Sequence, residues 1–299
     1  MKKIVVTGGA GRLGRLAIGN LLERGYEVLA VDKVRPQTAL PCRFLPVEMT
    51  DAAPVYDVLR GADAVLHLGA IPGPGGAPQS TLFHNNVLST YHVVEAASAL
   101  GLKRLVFASS VFAVGWVAEP EKYLPRYVPV DEDHPLTPFE AYGLSKQIGE
   151  DVCGAVSRRT GLPIVSLRFM NIIWPENIGA LPRPAPQTPR ETPFVYWAYV
   201  DARDAARACI LALEADTTGH EALFIAAEDI RFDCPTRDLL RDLAPGVEIR
   251  GPLKDRASVI SIQKAKRLIG YEPQHSWQTK KRGLETGFSS LKPRRNPTI

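Results

Sequence analysis

A glycine-rich turn near the start of the chain constrains its fold more than any other segment. The sequence Thr7-Gly8-Gly9-Ala10-Gly11-Arg12-Leu13-Gly14 follows a short apolar run over residues 4–6 and precedes a helical pattern over 15–24. Such a turn brings free backbone N–H groups and the positive end of a helix dipole to one point, where phosphate groups bind. Glycine also lets the backbone approach a ligand closely. The turn therefore predicts a strand, a turn and a helix that bind the pyrophosphate of a dinucleotide.

A second apolar run, over residues 28–31, ends in the acidic residue Asp32. In dinucleotide-binding units a carboxylate at this place accepts hydrogen bonds from the adenosine ribose, and it would repel the 2′-phosphate of NADP. Asp32 therefore favours NAD over NADP. Lys33, Arg35 and Arg12 stand close enough in the sequence to weaken that preference, and the alternative is that they only form a solvated surface.

Short apolar runs alternate with amphipathic segments through the first half of the 299-residue chain, which is 45% hydrophobic and 23% charged. This alternation predicts an α/β fold with a doubly wound parallel sheet of the Rossmann type, covered by helices on both faces. The predicted strands are residues 4–6, 28–31, 64–68, 104–108 and 164–169.

The remaining composition narrows the class of protein. No apolar run approaches the roughly 18 residues of a membrane helix, and Met1-Lys2-Lys3 leads into a strand rather than a signal peptide, so we expect a cytoplasmic protein with no membrane partner. The four cysteines form no Cys-x-x-Cys pair, which predicts neither disulfides nor a metal site. A net charge of +4 is too small to indicate a nucleic-acid partner.

A second motif, Tyr142-Gly143-Leu144-Ser145-Lys146, indicates proton transfer. The preceding residues Thr137-Pro138-Phe139-Glu140 predict a capping box with proline at the first helical position, so Tyr142 and Lys146 share one helix face. The ammonium group of Lys146 would lower the pKa of the phenol from its usual value of about 10. Tyr142 is then a general acid or base for an alcohol and ketone pair. The alternative is an ordinary surface helix.

Two serines, Ser109 and Ser110, end the predicted strand 104–108. Ligands of such sheets bind beyond the carboxyl ends of the strands, so a hydroxyl here can hold the substrate oxygen against Tyr142. The alternative is that serine is simply a frequent residue in the turn after a strand.

With these motifs in order, the chain resembles the extended short-chain dehydrogenase/reductases, and among them the NAD-dependent epimerase/dehydratase group. The resemblance covers nearly the whole chain. Besides the motifs above, it rests on Val65-Leu66-His67-Leu68-Gly69-Ala70, Asn86-Val87, Phe107-Ala108, Arg168-Phe169-Met170-Asn171, Val200-Asp201, Lys264-Ala265 and Leu268-Ile269-Gly270-Tyr271.

The resemblance implies a set of site residues. The catalytic residues would be Ser110, Tyr142 and Lys146. NAD would be bound by Gly8, Gly11, Arg12, Leu13, Gly14, Asp32, Lys33, Glu48, Met49, Leu68, Gly69, Ala70, Asn86, Tyr142 and Lys146. The substrate would contact Ile71, Ser110, Phe112, Tyr142 and Asn171. Many relatives pair into homodimers through two helices of each subunit, here residues 86–100 and 139–158.

The pattern changes after about residue 172. Prolines interrupt the chain at Pro182, Pro184, Pro186, Pro189 and Pro193. They exclude a regular helix or a central strand and predict a loop over the site. Helices are predicted over 200–215, 236–243 and 261–269. The predicted organisation is an NAD-binding Rossmann domain with the catalytic helix over 1–171, a smaller substrate-binding region over 172–291 with segments that pack back on the first domain, and a basic tail over 292–299.

Val111-Phe112 departs from the pattern of two subgroups. Sugar-nucleotide 4,6-dehydratases have Asp–Glu directly after the catalytic hydroxyl, and uronate dehydrogenases have Asn–His, so the resemblance supports neither dehydration nor a free hexuronic acid. The predicted function is an NAD-dependent oxidoreductase that acts on a secondary hydroxyl of a sugar or sugar derivative, with an anionic group near Arg183 or Arg190. The alternatives are a nucleotide-sugar 4-epimerase that retains its NAD and a non-catalytic NAD-binding protein.

Overall fold

A parallel sheet of seven strands forms the centre of the computed structural model, which describes residues 1–115 and 124–278. The strands are β1 (Lys3–Thr7), β2 (Glu27–Asp32), β3 (Arg43–Pro46), β4 (Ala64–His67), β5 (Arg104–Ser110), β6 (Tyr127–Val128), β7 (Ile164–Phe169), β8 (Asn171–Ile173), β9 (Tyr199–Asp201), β10 (His220–Ile225) and β11 (Glu248–Ile249). Across the central sheet the order is β10-β7-β5-β4-β1-β2-β3, and every pair of neighbours is parallel. The predicted Rossmann-type fold is confirmed.

Helices cover both faces of this sheet. They are α1 (Arg12–Glu23), α2 (Ala52–Leu59), α3 (Gln79–Ala99), α4 (Ala141–Thr160), α5 (Ala202–Glu214), α6 (Thr236–Leu243) and α7 (Gln263–Ile269). The helices α1 and α5 pack on one face, and α2, α3 and α4 pack on the other. None of these described helices has both the length and the apolar character of a membrane span.

Successive side chains of β1 point to opposite faces of the sheet, and this explains why the strands are continuous apolar runs in the sequence. Ile4 and Val6 join the hydrophobic cluster that contains Ile18 of α1, whereas Val5 joins the cluster on the opposite face with Val55 of α2. All three strand residues are fully buried. A strand between two helical layers has no solvent face and therefore no polar alternation.

The second half of the chain contributes to the same sheet and the same helical layers as the first half. The strand β10 joins the central sheet beside β7, and α5 packs against α1. The short strands β8 and β9 pair with each other, as do β6 and β11. The boundary between 1–171 and 172–291 therefore stays a proposal, and the basic tail at 292–299 lies outside the described residues.

The sequence reasoning missed β3 and β10, and it predicted a helix from residue 200. Residues 199–201 instead form β9, and α5 begins at Ala202 with Asp201 as its N-cap, whose carboxylate accepts from Arg203 N. The helix 236–243 has the predicted bounds.

The order of the strands reverses between β1 and β4. From β1 the chain builds the sheet outward through β2 and β3, and from β4 it continues in the other direction through β5, β7 and β10. Such a reversal leaves a crevice beyond the carboxyl ends of the two strands, where ligands of this fold bind. Thr7 and His67 end these two strands and mark the position of the site.

Candidate active site

A cavity of about 650 Å³ opens at this reversal, beyond the carboxyl ends of the strands. Its wall contains all but one of the site residues predicted from the sequence. They are Gly8, Gly11, Arg12, Leu13, Gly14, Asp32, Lys33, Glu48, Met49, Leu68, Gly69, Ala70, Ile71, Ser110, Phe112, Tyr142, Lys146 and Asn171. The fold thus brings the predicted cofactor, catalytic and substrate residues into one space.

The glycine turn has the shape of a phosphate cradle. Gly8 has a φ of 68°, and a Cβ there would lie 2.7 Å from Gly69 N. A Cβ on Gly14 would lie 2.3 Å from Gly8 O, so no side chain fits at either position. The helix α1 begins after Gly11 without a side-chain cap, which leaves its first N–H groups for an anionic ligand. The turn therefore fits the pyrophosphate of NAD.

The carboxylate of Asp32 is held at the end of β2. Its oxygens accept hydrogen bonds from Ala10 N at 3.2 Å and from Val34 N at 3.1 Å. Lys33 Nζ donates to Asn85 Oδ1 at 2.9 Å, so its ammonium group is engaged with α3. Each carboxylate oxygen keeps a lone pair for the hydroxyl of a ribose.

Asn86 is the predicted site residue that does not line the cavity. It is 2% exposed, its Oδ1 accepts from Ile71 N at 2.8 Å, and its Nδ2 donates to Ile71 O at 3.1 Å. Nδ2 also lies 3.4 Å from Ser145 Oγ. The cofactor contact that the resemblance implied stays a prediction, and the structure shows a second role: Asn86 fixes the position of Ile71 in the cavity wall.

A buried hydrogen-bond network that the sequence did not reveal supports the same wall. The hydroxyl of Thr90 donates to Asn86 O at 2.8 Å, so His67 Nε2 donates to Thr90 Oγ1 at 3.2 Å. His67 Nδ1 then accepts from the hydroxyl of Thr7 at 2.7 Å, and Thr7 Oγ1 accepts from Gly69 N. Burial lowers the pKa of His67 to about 3, which keeps it neutral.

The helix α4, which carries Tyr142 and Lys146, begins later than predicted. Glu140 is its N-cap, and the carboxylate accepts from Tyr142 N at 2.5 Å and from Gly143 N at 2.7 Å. Thr137 Oγ1 donates instead to Val114 O at 2.8 Å. The predicted capping box, with proline at the first helical position, is therefore wrong, because the hydroxyl of Thr137 is used outside the helix.

Tyr142 and Lys146 lie on one face of α4 and reach the end of β5. Lys146 is 4% exposed, and its Nζ donates to Ala108 O at 2.8 Å and lies 5.6 Å from the centroid of the Tyr142 ring. A Cβ on Gly143 would lie 2.2 Å from Phe112 O. Glycine at this position thus lets α4 approach the backbone that follows Ser110.

The pKa of Tyr142 differs from the lowered value that the sequence predicted. The pKa of Tyr142 is raised, chiefly by desolvation, while hydrogen bonds from the Ser110 hydroxyl and the Gly73 backbone act in the opposite direction. Burial lowers the pKa of Lys146 to about 8, and the charge of Glu150 opposes that shift. The predicted lowering of the phenol pKa by Lys146 is therefore wrong for the chain alone, because desolvation dominates.

A buried ion pair lies one turn further along α4. Arg168 Nη2 and Glu150 Oε2 are 2.8 Å apart, with side-chain exposures of 6% and 5%. The hydroxyl of Ser109 donates to Glu150 Oε1 at 2.5 Å. This pair fixes α4 to the ends of β5 and β7, one helical turn after Lys146.

The proline-rich segment flanks the cavity and does not line it. Neither Arg183 nor Arg190 belongs to the wall, whereas Trp174 and Tyr196, on either side of the segment, do. The guanidinium of Arg12 lies 3.8 Å from the centroid of the Trp174 ring and pairs with Glu176. The wall also contains Ser109, the second of the two candidate serines. Sequence reasoning did not assign the remaining wall residues to the site: Val47, Pro72, Gly73, Pro74, Asn85, Ser89, Ala108, Val111, Phe169, Met170, Ile172, Trp174 and Tyr196.

Three comparisons place this geometry among known proteins. The chain is 31% identical to a uronate dehydrogenase of Pseudomonas putida over 171 residues, which is 56% of this chain and 60% of that protein. It is 27% identical to a UDP-glucose 4-epimerase of Corynebacterium glutamicum over 311 aligned positions, 92% of each chain. Its fold superposes with a TM-score of 0.70 on a short-chain dehydrogenase/reductase superfamily protein from Agrobacterium tumefaciens with bound NAD, at 25% identity over 97% of this chain and 100% of the other.

The first of these matches spans less than two thirds of the relative's own length. The family assignment rests on more of the chain, since residues 4–226 match the model of the NAD dependent epimerase/dehydratase family. The glycine cradle, Asp32 at the end of β2, and Tyr142 with Lys146 all lie within that range. This chain therefore belongs to the NAD-dependent epimerase/dehydratase family of extended short-chain dehydrogenase/reductases.

Proposed function

We propose that this chain is an NAD-dependent oxidoreductase that transfers a hydride at a secondary hydroxyl of a sugar or sugar derivative. One observation carries the proposal: Ser110, Tyr142 and Lys146 line the same cavity as the glycine cradle and Asp32. A substrate carbon that lies against Tyr142 is therefore enclosed in the same cavity as the residues proposed to bind the dinucleotide. The relatives named as uronate dehydrogenase and UDP-glucose 4-epimerase act on sugars, which supports the substrate class.

The roles of the catalytic residues follow from their positions. When bound, NAD supplies the hydride acceptor, with its pyrophosphate on the glycine cradle and its adenosine ribose at Asp32. The hydroxyl of Ser110 holds the substrate oxygen, and Tyr142 accepts the proton of the substrate hydroxyl. The ammonium group of Lys146 supplies the positive charge that favours the phenolate of Tyr142 once the site is filled.

The preference for NAD over NADP is part of the proposal and rests on Asp32. We expect Asp32→Ala to raise the KM for NAD about tenfold, because hydrogen bonds to a charged group are lost, and to lower the KM for NADP. Asp57→Ala is the matched control, since it removes an exposed carboxylate of α2 that lies outside the cavity wall, and it should change both values little. An unchanged cofactor preference in the Asp32 variant would contradict the assignment.

A nucleotide-sugar 4-epimerase that retains NAD is the second candidate. It is favoured by the match to a UDP-glucose 4-epimerase over 92% of each chain. A non-catalytic NAD-binding protein is the third candidate, and the intact set of Ser110, Tyr142 and Lys146 weighs against it.

Formation of NADH across free sugars, sugar acids and nucleotide sugars separates these candidates. Net NADH that disappears in Tyr142→Phe supports the dehydrogenase, with Tyr26→Phe as the control for a tyrosine far from the cavity. Retained NAD without net NADH, together with interconversion of two nucleotide sugars, identifies the epimerase. Equal activity of Tyr142→Phe and the wild type would overturn both catalytic proposals.

The oligomeric state and the cellular location stay proposals. We propose a homodimer formed through α3 and α4, which pack against each other and expose Tyr91 and Leu144. Light scattering on the purified chain tests this directly, since a mass of one chain would exclude it. The cytoplasmic location rests on the sequence alone.

A further inference from the structure

A bridge of three side chains joins two walls of the cavity at its rim. The guanidinium of Arg12 lies 3.8 Å from the centroid of the Trp174 ring and forms an ion pair with Glu176. Arg12 and Trp174 belong to the cavity wall, and Glu176 stands just outside its described residues. The side chains of Arg12 and Glu176 are 54% and 59% exposed, so the bridge lies at the boundary between the cavity and the solvent.

The two ends of the bridge come from different parts of the site. Arg12 is the first residue of α1 and follows Gly11 of the glycine cradle. Trp174 follows β8, whose first residue, Asn171, lies in the part of the wall predicted to contact the substrate. Arg12 and Glu176 are 164 positions apart in the chain. The bridge therefore connects the proposed cofactor side of the cavity to the proposed substrate side.

The backbone is fixed at both ends, so the bridge can open by rotation of side chains. Arg12 is held in the first turn of α1. Trp174 O accepts hydrogen bonds from Asn177 N at 2.8 Å and from Ile178 N at 3.1 Å, and the side chain of Ile178 is buried. Exposed side chains change rotamer within nanoseconds. The fraction of time for which the bridge is open, rather than the speed of its opening, therefore determines how often a ligand can pass.

The contacts of the bridge favour the closed form without making it permanent. An exposed ion pair and an exposed contact between a cation and an aromatic ring each shift such an equilibrium by about two- to fivefold. The bridge is thus closed for most of the time and still opens often. Both contacts are made within the chain, so they act equally on the entry and on the exit of a ligand.

We propose that the bridge of Arg12, Trp174 and Glu176 gates the exchange of the nicotinamide dinucleotide. Trp174 and Glu176 are positioning residues, which hold the guanidinium of Arg12 across the rim. The inference goes beyond the proposed function, because it concerns cofactor exchange and not hydride transfer, and it rests on that function only in taking a nicotinamide dinucleotide as the ligand. Rapid opening suits a dehydrogenase, which releases NADH in each cycle, whereas an epimerase retains its NAD.

Stopped-flow measurement of NADH binding tests the gate without a sugar substrate. The emission of bound NADH gives the association rate, and displacement of NADH by excess NAD gives the dissociation rate. Arg12 stays unchanged in every variant, because it is itself predicted to contact the cofactor. We expect Trp174→Leu to raise both rates by the same factor, about two- to fivefold, and to leave the Kd unchanged. Trp174→Phe keeps an aromatic face for the guanidinium and should restore most of the wild-type behaviour.

Glu176→Gln distinguishes the gate from simple electrostatic attraction. Removing a carboxylate at the rim favours an anionic dinucleotide, which alone would raise the association rate and lower the dissociation rate. Loss of the ion pair with Arg12 should instead raise the dissociation rate as well, by about twofold or more. Glu214→Gln is the matched control, because Glu214 pairs with Arg24 at the other end of α1, away from the described wall, and it should change neither rate.

The outcomes separate this inference from the proposed function. The gate is overturned by unchanged rates in Trp174→Leu and Glu176→Gln, by a lower dissociation rate in Glu176→Gln, or by absence of NADH binding to the wild type. Faster dissociation of Trp174→Leu with an unchanged association rate also overturns it, since Trp174 would then contact the cofactor directly. Glu176→Gln alters an exposed side chain and tests the gate even if Trp174→Leu does not fold. Gated NADH exchange without turnover of any sugar would overturn only the oxidoreductase assignment.

Discussion

At the scale of single residues, desolvation shifts the pKa values of Tyr142 and Lys146, the two side chains proposed to carry the chemistry. It lowers the pKa of Lys146 to about 8 and raises that of Tyr142. Lys146 is held in the charged form at neutral pH at the expense of stability, since a buried ammonium group is poorly solvated. The charged form of Lys146 therefore lowers the stability of the folded state.

Replacing Lys146 should make the protein more stable at neutral pH. The pKa of Lys146 is lower in the folded than in the unfolded chain, so the unfolded chain binds more protons between about pH 8 and 10.5, and wild-type stability rises over that interval. We expect Lys146→Met to raise the free energy of unfolding by about 1–3 kcal/mol at pH 7, after loss of the bond to Ala108 O. The gain should vanish toward pH 10.5.

Urea unfolding at pH 7 and pH 10 measures this difference. Lys254→Met, at an exposed lysine, serves as the control and should change stability little at either pH. A Lys146→Met variant that is less stable than the wild type at pH 7 would show that the contacts of the ammonium group outweigh its desolvation.

Motifs in the sequence indicated the candidate catalytic residues, whose roles stay predictions, but motifs did not reveal the contacts that position the site. Ser110, Tyr142 and Lys146 stand in short patterns whose spacing is visible in the sequence. Asn86 contacts Ile71, 15 positions away in the chain, and Arg231 contacts Asn171, 60 positions away. Such contacts leave no local pattern.

At the scale of elements, the close approach of the glycine turn to its own helix makes a single methyl group decisive. We expect Gly14→Ala to weaken NAD binding at least about tenfold, because its Cβ would lie 2.3 Å from Gly8 O and displace the cradle. Fluorescence titration with NAD measures the effect. Gly19→Ala in the same helix has nothing within 4 Å of its Cβ, and it should leave NAD binding unchanged and add about 0.5–1 kcal/mol of stability.

The N-cap of α4 links the stability of the helix to Tyr142, the proposed general base. Glu140→Ala leaves Tyr142 N and Gly143 N without an acceptor, so we expect a loss of about 1 kcal/mol and a lower kcat. Thermal unfolding and steady-state kinetics check the two effects. Glu140→Gln keeps one acceptor oxygen and should retain more of both, and equal losses in the two variants would argue against the capping role.

Strands that form an apolar run were predicted from the sequence, whereas β3 and β10, which begin with polar or charged residues, were missed. The strand β7 consists of a buried run, and its bounds were predicted from the sequence. The edge strand β3 carries Arg43 and ends in Pro46, and β10 opens with His220 and Glu221, so neither begins as an apolar run. The start of α4 was missed because a proline before a glutamate resembles a helix start, whereas Glu140 itself is the cap.

At the scale of the whole molecule, the buried pair of Glu150 and Arg168 joins the helical layer to the sheet. We expect Arg168→Met to cost about 3–5 kcal/mol, because it leaves the carboxylate of Glu150 buried without its partner. The double variant Glu150→Leu with Arg168→Met removes both charges and should recover a large part of that loss. Chemical denaturation of the single and double variants measures the coupling, and purely additive losses would contradict it.

The type of the central sheet could be predicted from the sequence, but the order of its strands could not. Alternating apolar and amphipathic segments indicated parallel strands between two helical layers, because each βα unit shows its pattern locally. The order of the strands, and with it the joining of β10 to β7, depends on contacts across the entire chain.

The neutral state of His67 has a consequence for interpreting the enzyme's response to pH. The residue stands in the network that holds the loop from Gly69 to Ile71, and its pKa of about 3 lies far below the range in which cells operate. The geometry of that loop is therefore insulated from the acidity of the medium. An inflection in a rate profile near neutral pH would have to be assigned to another group, even though a histidine stands next to the cofactor site.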